Sequence, residues 1–498
     1  MAYVATRRIP SRVPKPLLRA LSSVTAPPLN LTPKLAEPST RSGSPAASSS
    51  SALDLTDSGR LFASARTGTL VAALATLSAM AIEPLVDAGT AVMRSRAIME
   101  SLLGRSVVVA AVRSTVYRQF CAGESVEEVD RAVRDLSRSG LRAILDYGME
   151  DAEDAEACAR NLAGSYGRWR WLRLCHRPRE LSFATLYKAT VCIKITALCP
   201  ISLLERISDL LRWNKKDPSF ELPWKAHSFP ILTDSSPIYL TPSIPEPLTQ
   251  AEELELRSVH ENIATLCEQC AKYNIPLLVD AEYASVQPAI DYFTYSAALK
   301  YNRGDRAVVY GTMQAYLKDS KERLVKMVNA AEEQGFSIGL KLVRGAYLTR
   351  ETQLASAFGV PSPIHGSIQE THKCYNECAS FLLERVRQGS GAVVLATHNV
   401  ESGRLAAAKA QELGIVKTDQ KLQFAQLMGM ADGLSLGLRN AGFQVSKYLP
   451  FGPVDQVIPY LLRRAEENRG FLSSAALDRQ LLRKELKRRL KTAVLGRD

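Results

Sequence analysis

The sequence of 498 residues lacks the signatures of several common protein classes. No G-x-G-x-x-G motif follows a predicted strand, which excludes a Rossmann-type dinucleotide site. Aromatic residues make up only 7% of the chain, and the basic residues concentrate at its two ends. That distribution argues against a nucleic-acid binder, because such proteins stack bases on aromatic rings along a basic groove. The 46% share of hydrophobic residues is sufficient for a large globular core.

The nine cysteines lack the paired spacing of a zinc site. Cys267 and Cys270 form a C-x-x-C within a predicted helix, and no second pair accompanies them. His372, Cys374 and Cys378 form an equally isolated group. We therefore predict reduced thiols in an internal compartment and no metal site.

The amino terminus has no acidic residue before Glu37, whereas residues 1–36 carry six basic side chains. Residues 39–51 are rich in Ser, Pro and Ala. This composition is typical of a mitochondrial transit peptide and its tether, which we predict over residues 1–52. A basic disordered arm is the alternative. Since the leader carries part of the net charge of +12, its removal would lower that charge.

Long apolar runs are also missing. Residues 67–82 are apolar, but this run is shorter than the roughly 20 residues that cross a bilayer. We predict a buried or interface-lying helix there, so any membrane association is peripheral. The carboxyl-terminal region, residues 476–498, is predicted to form a basic amphipathic helix. It lies either on an anionic membrane or in solvent, and both alternatives stay open.

From residue 141 onward, short apolar runs alternate with helical stretches. Near-continuous apolar runs are typical of parallel strands buried on both faces. We predict an α/β fold, a distorted (β/α)8 barrel over residues 141–475, whose chemistry gathers at the carboxyl ends of the strands. An open doubly wound sheet is the alternative. The runs span residues 141–146, 190–196, 276–280, 307–314, 338–343, 392–397, 422–427 and 443–448.

Two further regions complete the predicted domain organisation. Residues 53–140 form an N-terminal helical region. Residues 214–250 contain seven prolines and form a Pro-rich insertion outside the barrel.

Polar residues close most of the predicted strands, and a basic helix follows the last one. If residues 460–468 are helical, Tyr460, Arg463, Arg464 and Glu467 share one face. Two adjacent guanidinium groups match the oxygens of a carboxylate, so this face suits an anion. An ordinary solvated face with an Arg463–Glu467 pair is the alternative.

The sequence closely resembles the proline dehydrogenase family, the flavoenzymes that oxidise L-proline. The matching motifs occur in the family's order over about residues 110–472. They are K-I-T-A-L (194–198), D-A-E (280–282), M-Q-A-Y-L-K (313–318), K-L-V-R-G-A-Y (341–347), A-T-H-N (396–399), Q-L-M-G-M (426–430), K-Y-L-P-F-G (447–452) and Y-L-L-R-R-A-E-E-N (460–468). The resemblance implies FAD, a distorted (β/α)8 barrel, a mitochondrial inner-membrane location and ubiquinone as electron acceptor. The transit-like leader favours a eukaryotic, single-function member.

The resemblance also implies roles for individual residues. The clamp for the proline carboxylate falls on Lys194, Arg463 and Arg464. Tyr448 and Tyr460 would pack on the pyrrolidine ring, and Asp280 would hold Tyr448 or an arginine in place. The family's flavin contacts fall on Gln314, Arg344, Gly345, Ala346, Tyr347, Thr397, His398 and Glu467.

The implied reaction is hydride transfer from C5 of proline to flavin N5, which gives 1-pyrroline-5-carboxylate. The ring nitrogen must be neutral, and cations at the carboxylate favour loss of its proton. The sequence identifies no general base, so we expect solvent to accept that proton. One alternative is a hydroxyproline dehydrogenase, although Tyr448 should crowd a hydroxyl at C4. Another alternative is an inner-membrane scaffold protein without a flavin. It does not explain why the fold would bear the desolvation cost of so many charged side chains at the strand ends.

Overall fold

The computed structural model describes residues 53–148, 152, 154, 156–158, 189–225, 241, 243–470 and 472–496. Within these ranges, the side chains of residues 466–470, 472–474 and 495 are outside the description. The predicted leader, most of residues 149–188, and residues 226–240 and 242 of the predicted insertion lie outside the described residues. The division into domains therefore stays a prediction.

Eight parallel strands close into a barrel in which each strand pairs with its sequence neighbours and β1 pairs with β8. The closed ring confirms the predicted barrel and rules out the open doubly wound sheet. The strands are β1 Arg142–Tyr147, β2 Thr190–Ile193, β3 Leu277–Val279, β4 Val309–Gln314, β5 Ile338–Val343, β6 Gly391–Ala396, β7 Leu422–Leu427 and β8 Val445–Phe451.

The strand boundaries differ from the predicted runs by one or two residues at several ends and by three residues at two ends. β2 ends at Ile193 because Ile195–Ala197 forms a turn of 3₁₀-helix after Lys194. β8 continues to Phe451 because Pro450 and Phe451 still pair with β1 through Asp146 and Tyr147. Most side chains along the strands are buried, which explains why the sequence shows apolar runs instead of alternation.

Seventeen helices are described, and those of the barrel cover its outer face. They are α1 Ser58–Leu61, α2 Thr67–Ala79, α3 Glu83–Arg94, α4 Arg96–Glu100, α5 Leu102–Val112, α6 Arg118–Phe120, α7 Val126–Arg138, α8 Ile201–Lys216, α9 Gln250–Tyr273, α10 Gln287–Tyr301, α11 Ser320–Glu333, α12 Leu348–Phe358, α13 Ile368–Gln388, α14 Val400–Glu412, α15 Asp432–Asn440, α16 Val454–Gly470 and α17 Leu472–Leu495.

Local sequence fixes the ends of the long barrel helices. Thr249 and Glu252 form a reciprocal capping box at the start of α9, and Ser367 and Glu370 do the same for α13. Gly389 adopts a left-handed conformation, φ 87°, and ends α13. These caps fix where each connection begins, and hence where the next strand enters the barrel.

The two ends of the described chain pack against each other. The guanidinium of Arg489 on α17 donates hydrogen bonds of 2.8 Å to the carbonyl oxygens of Phe62 and Ala65. Leu481 and Leu482 are buried in the main hydrophobic core. The carboxyl-terminal helix therefore uses its apolar face within the protein.

The N-terminal helices cover the helix that follows the last strand. α3 and α5 both pack against α16, where Val108 and Val112 join Tyr460 and Leu461 in one apolar cluster. No single described helix meets the length and hydropathy of a membrane span, whereas α2 and α3 meet them together as a pair bent by 87°.

Candidate active site

A buried cluster of alternating charges lies among the strands of the barrel. The Nζ of Lys194 lies 2.8 Å from Oδ2 of Asp146 and 3.5 Å from Oδ2 of Asp280. Lys341 on β5 pairs with the other oxygen of Asp280. The Tyr448 hydroxyl donates to Asp280 Oδ2 at 2.8 Å and lies 3.3 Å from Lys194 Nζ. Five residues from five strands or strand ends thus form one network.

The network is balanced, with two ammonium groups and two carboxylates. Burial alone would raise the pKa of Asp280, but Lys341 and Lys194 outweigh it and hold that pKa well below its usual range. Burial raises the pKa of Asp146, opposed by Lys194. Burial and the two nearby carboxylates raise the pKa of Tyr448. Tyr448 therefore stays a neutral donor to an ionised Asp280.

The Arg344 guanidinium is held by neutral groups at the end of β5. Its nitrogens donate to Nδ1 of His372 at 3.0 Å, Oγ1 of Thr397 at 2.7 Å and Oγ of Ser402 at 2.8 Å. Its carbon lies 4.3 Å from the centre of the Tyr375 ring. No acidic side chain within the described residues pairs with it. Burial lowers the pKa of Arg344. A guanidinium nevertheless keeps its positive charge in proteins.

His398 is a neutral imidazole with a defined tautomer. Burial, assisted by Lys447, Arg464 and Arg344, lowers its pKa to about 3. The amide N–H of Leu427 donates to its Nε2 at 3.1 Å, so the ring proton resides on Nδ1. His398 therefore offers a hydrogen-bond donor on the Nδ1 side without adding charge.

α16 brings the double arginine to the same end of the barrel. Arg464 is buried and lies over the Tyr460 ring, 4.8 Å from its centre, within electrostatic reach of His398. Arg463 lies 5.9 Å from the centre of the Tyr347 ring, at the start of α12. The two neighbours thus point to different aromatic partners. The side chain of Glu467 lies outside the described residues.

The remaining predicted flavin contacts lie along β4 and after β5. The buried Gln314 amide donates to the carbonyl oxygen of Glu282 at 2.9 Å. Gly345 has φ +139°, and the Tyr316 ring occupies the space that a Cβ would need there. Gly345 is therefore required by its backbone and by Tyr316, whereas we predicted it from the approach of a cofactor. Ala346 is exposed.

Comparison with known proteins identifies the family. A family model described as proline dehydrogenase matches residues 129–476, well over half of the chain. The chain belongs to the proline dehydrogenase family. Proline dehydrogenase 1, mitochondrial, of Arabidopsis thaliana is 49% identical over 96% of this chain and 95% of that relative. Hydroxyproline dehydrogenase of Homo sapiens is 34% identical over 85% of this chain and 91% of that protein.

Solved structures share the fold of this proline dehydrogenase family member. Proline utilization A (PutA) from Bdellovibrio bacteriovorus, inactivated by N-propargylglycine, superposes with a TM-score of 0.60 at 18% sequence identity. The match covers 86% of this chain and 44% of that longer chain. At this level of identity the likeness concerns the barrel architecture alone.

Sequence reasoning missed several partners of the predicted residues. Asp146 and Cys192 were not predicted, and Lys341 was noted only as part of a motif. Asp146 closes the first apolar run just as Asp280 closes the third, which was the available signal. His372, Tyr375 and Ser402, which hold Arg344, lie on helices and carry no such signal.

The carboxylates of the network do not suit a metal ion. Donor atoms of Asp146, Cys192 and Asp280 lie within 4.8 Å of one another. Lys194 and Lys341 already neutralise the two carboxylates, and a divalent cation would meet their repulsion. Burial raises the pKa of the Cys192 thiol well above its usual value, so the thiolate that a metal needs is disfavoured.

Proposed function

We propose that the protein oxidises L-proline to 1-pyrroline-5-carboxylate with FAD as cofactor and ubiquinone as electron acceptor, associated with the matrix side of the mitochondrial inner membrane. The proposal is supported by relatives named mitochondrial proline dehydrogenases at 49% and 50% identity. The observation that carries it is the set of ionisable groups at the carboxyl end of a barrel. Such a set has a large desolvation cost unless a charged ligand uses it.

The residues at the end of β5 fit a flavin nucleotide. Arg344 is a half-buried cation whose described partners are neutral, as a site for an anionic group requires. Thr397 and His372 fix its orientation, and the Nδ1–H of His398 adds a neutral donor. In this proposal Gln314, Tyr347 and Glu467 complete the site. When bound, FAD supplies the acceptor for a hydride that leaves C5 of proline.

The substrate carboxylate is assigned to Lys194, Arg463 and Arg464. Lys194 already has two carboxylates within 3.5 Å, so most of the net positive charge for the substrate comes from the arginines. Lys194 then orients the carboxylate more than it neutralises it. Tyr448 and Tyr460 supply the walls against the pyrrolidine ring.

The ring nitrogen must lose a proton before C5 can lose a hydride. Cations near the carboxylate lower the pKa of the substrate amine. Asp280 is a poor base because its pKa is low, and His398 is a weak one because its pKa is about 3. Solvent therefore remains the proposed acceptor of this proton.

The second candidate function is hydroxyproline oxidation, favoured by relatives at 34% identity. Against it, the Tyr448 hydroxyl is fixed by Asp280 and Lys194 and cannot swing away to admit a C4 hydroxyl. A flavin-free inner-membrane scaffold, the other alternative, gives no reason for the buried charges.

The decisive experiment is an absorption spectrum of the purified protein before and after anaerobic addition of L-proline. We expect a flavin spectrum that L-proline bleaches and hydroxyproline scarcely changes. Bleaching by hydroxyproline alone would support the second candidate. If no flavin copurified or could be reconstituted, the scaffold would become the better account.

The carboxylate clamp is tested with Lys194→Met. We expect KM for proline to rise about thirty-fold or more, because truncating a buried charge costs about 2 kcal/mol or more. Lys326→Met is the matched control, since that lysine is 57% exposed and pairs with Glu322 on the same helix. An unchanged KM in Lys194→Met would remove Lys194 from the clamp.

A further inference from the structure

Large apolar side chains exposed to solvent are concentrated in the N-terminal helices. Among the described residues, six of the fifteen exposed large hydrophobic side chains fall between residues 82 and 107, with exposed fractions from 38% to 87%. On a typical protein surface, exposed hydrophobic residues are scattered singly and do not gather in one short segment of the chain. We call these residues the N-terminal apolar surface: Ile82, Leu85, Val92, Leu102, Leu103 and Val107.

The members of this surface lie on the outer faces of two helices. Leu85 and Val92 are seven residues apart and share one face of α3. Leu103 and Val107 are four residues apart and share one face of α5. The opposite face of α5 is the one that packs, since its Val108 and Val112 join the cluster with α16. α5 is thus apolar on both its inner and its outer face.

The charges around the surface have a bias of one sign. Residues 66–118 contain six arginines and three acidic residues. Arg96, the first residue of α4, is exposed. Arg105 and Arg113 are 52% and 55% exposed, although each also pairs with an acidic side chain. An apolar face with a basic rim is complementary to the headgroups and acyl boundary of an anionic bilayer.

The other element that could meet a membrane is already engaged in the fold. On α17, Leu481 and Leu482 are buried in the core. Arg488 and Arg489 pair with Glu485, and Arg489 also reaches the carbonyl oxygens of Phe62 and Ala65. Large apolar side chains of α17 reach solvent only near its end, at Leu490 and Val494 among the described residues.

We propose that the N-terminal apolar surface is the face that docks onto an anionic lipid bilayer, and that α17 is not. The inference builds on the membrane association in the proposed function and assigns it to particular residues. α3 and α5 lie directly on α16, which carries Tyr460, Arg463 and Arg464. Docking on their outer faces places the helix of the double arginine close to the bilayer, where a lipid-dissolved quinone would arrive.

The test is sedimentation of the purified protein with lipid vesicles. The vesicles contain phosphatidylcholine alone or with about 30 mol% of an anionic lipid, phosphatidylglycerol. We expect the wild type to bind the anionic vesicles and the triple variant Leu102→Ser, Leu103→Ser, Val107→Ser to lose about ten-fold or more in affinity. The triple variant Leu254→Ser, Leu405→Ser, Val416→Ser is the matched control, because those residues are 57%, 46% and 64% exposed elsewhere.

A second arm separates the two parts of the surface. Arg96→Glu should weaken binding to the anionic vesicles and leave binding to phosphatidylcholine vesicles unchanged. Variants of α17, Leu490→Ser with Val494→Ser, should bind as the wild type does. If the α17 variant lost binding while the α5 variant kept it, the assignment would be reversed.

Activity is measured as reduction of a soluble dye by proline without vesicles. Both triple variants should match the wild type, since the altered side chains face solvent and not the barrel. A wild type without dye reduction would contradict the proposed function and would leave the vesicle result standing. Equal vesicle binding by wild type and the α5 variant would overturn the docking surface. If that result came with a smaller sedimentation coefficient of the variant than of the wild type, a second copy of this chain would be the occupant of the surface.

Discussion

Lys194 lies between two buried carboxylates, and its position depends on both. Asp146 is its closest partner at 2.8 Å, and both side chains are almost fully buried. Removal of one member of such a pair leaves an uncompensated buried charge, which costs about 3–5 kcal/mol. Asp146 is therefore a positioning residue for Lys194 and for Tyr448 next to it.

We expect Asp146→Ala to lower the free energy of unfolding by about 3–5 kcal/mol and to raise KM for proline. The KM effect follows because Lys194 is left with Asp280 alone and shifts towards it. Denaturant titration and steady-state kinetics measure the two effects. Asp135→Ala is the control, because its pair with Arg138 is about 70% exposed on both sides and should matter little. If Asp146→Ala and Asp135→Ala lost the same free energy of unfolding, burial of the ion pair would not explain the effect at Asp146.

Gly345 combines an unusual backbone with a close neighbour. Its φ is +139°, and the Tyr316 ring fills the position of a Cβ. Gly335 also has a positive φ, +71°, but nothing lies within 4 Å of its Cβ position. Gly335→Ala therefore tests a left-handed backbone alone, whereas Gly345→Ala adds a steric clash to the strain of a different positive φ.

We expect Gly335→Ala to destabilise the protein by about 1–2 kcal/mol, the cost of a left-handed conformation for alanine. Gly345→Ala should cost more, because Tyr316 must also move, and displacing a packed side chain adds about 1–3 kcal/mol. Thermal or denaturant unfolding measures the difference. If Gly345→Ala lowered the free energy of unfolding less than Gly335→Ala does, the Tyr316 ring would move aside at little energetic cost.

At the scale of elements, α17 supplies the amino-terminal cap of α15. The Asp478 carboxylate accepts from the amides of Gly433 at 3.0 Å and Asp432 at 3.1 Å. Burial, and then the nearby Asp432 carboxylate, raise the pKa of Asp478 to about 6. The folded protein thus holds this proton more tightly than the unfolded chain does.

The stability that this proton contributes is full below about pH 4 and is lost as the pH rises through about 6. The side chain of Asp478→Asn cannot titrate. As the pH rises from about 4 to about 6, we therefore expect the free energy of unfolding of this variant to fall less than that of the wild type, by up to about 3 kcal/mol. Urea titrations at several pH values measure it. Asp135→Asn, a change at an exposed carboxylate, should keep the wild-type dependence. If the free energies of unfolding of the wild type and Asp478→Asn changed equally with pH, Asp478 would not be the source of this pH dependence.

At the scale of the whole molecule, the barrel is closed by its strands and its two flanking regions are tied to each other. Arg489 makes hydrogen bonds to Phe62, Ala65 and Thr67, more than four hundred residues away in sequence. These bonds join the carboxyl-terminal helix to the segment between α1 and α2, where the carbonyl oxygens of Phe62 and Ala65 lie outside regular helix. The N-terminal helices are therefore held by α17 as well as by α16.

We expect Arg489→Ala to speed hydrogen exchange in α1 and α2 and to leave the barrel strands unchanged, because opening would be local. Mass spectrometry of deuterated peptides measures this. Arg483→Ala, at an exposed position of the same helix, is the control. Faster exchange throughout the barrel would show instead that the flanking helices unfold together with it.

The sequence by itself determined the eight strands, their order and the side chains at their ends. It did so because a strand buried on both faces must be an apolar run, and the polar residue after it is then conspicuous. Lys194, Asp280, Arg344 and Tyr448 were all found in this way. The roles assigned to them through the family resemblance stay predictions.

Only the tertiary structure decided which charges meet. Asp146 and Asp280 are far apart in sequence and share Lys194 because β2 pairs with β1 on one side and with β3 on the other. It also decided that Leu481 and Leu482 of the basic carboxyl-terminal helix are packed inside, whereas Leu102 and Leu103 of α5 face solvent. Amphipathic pattern shows that a helix has an apolar face, but which surface covers that face depends on contacts between distant segments.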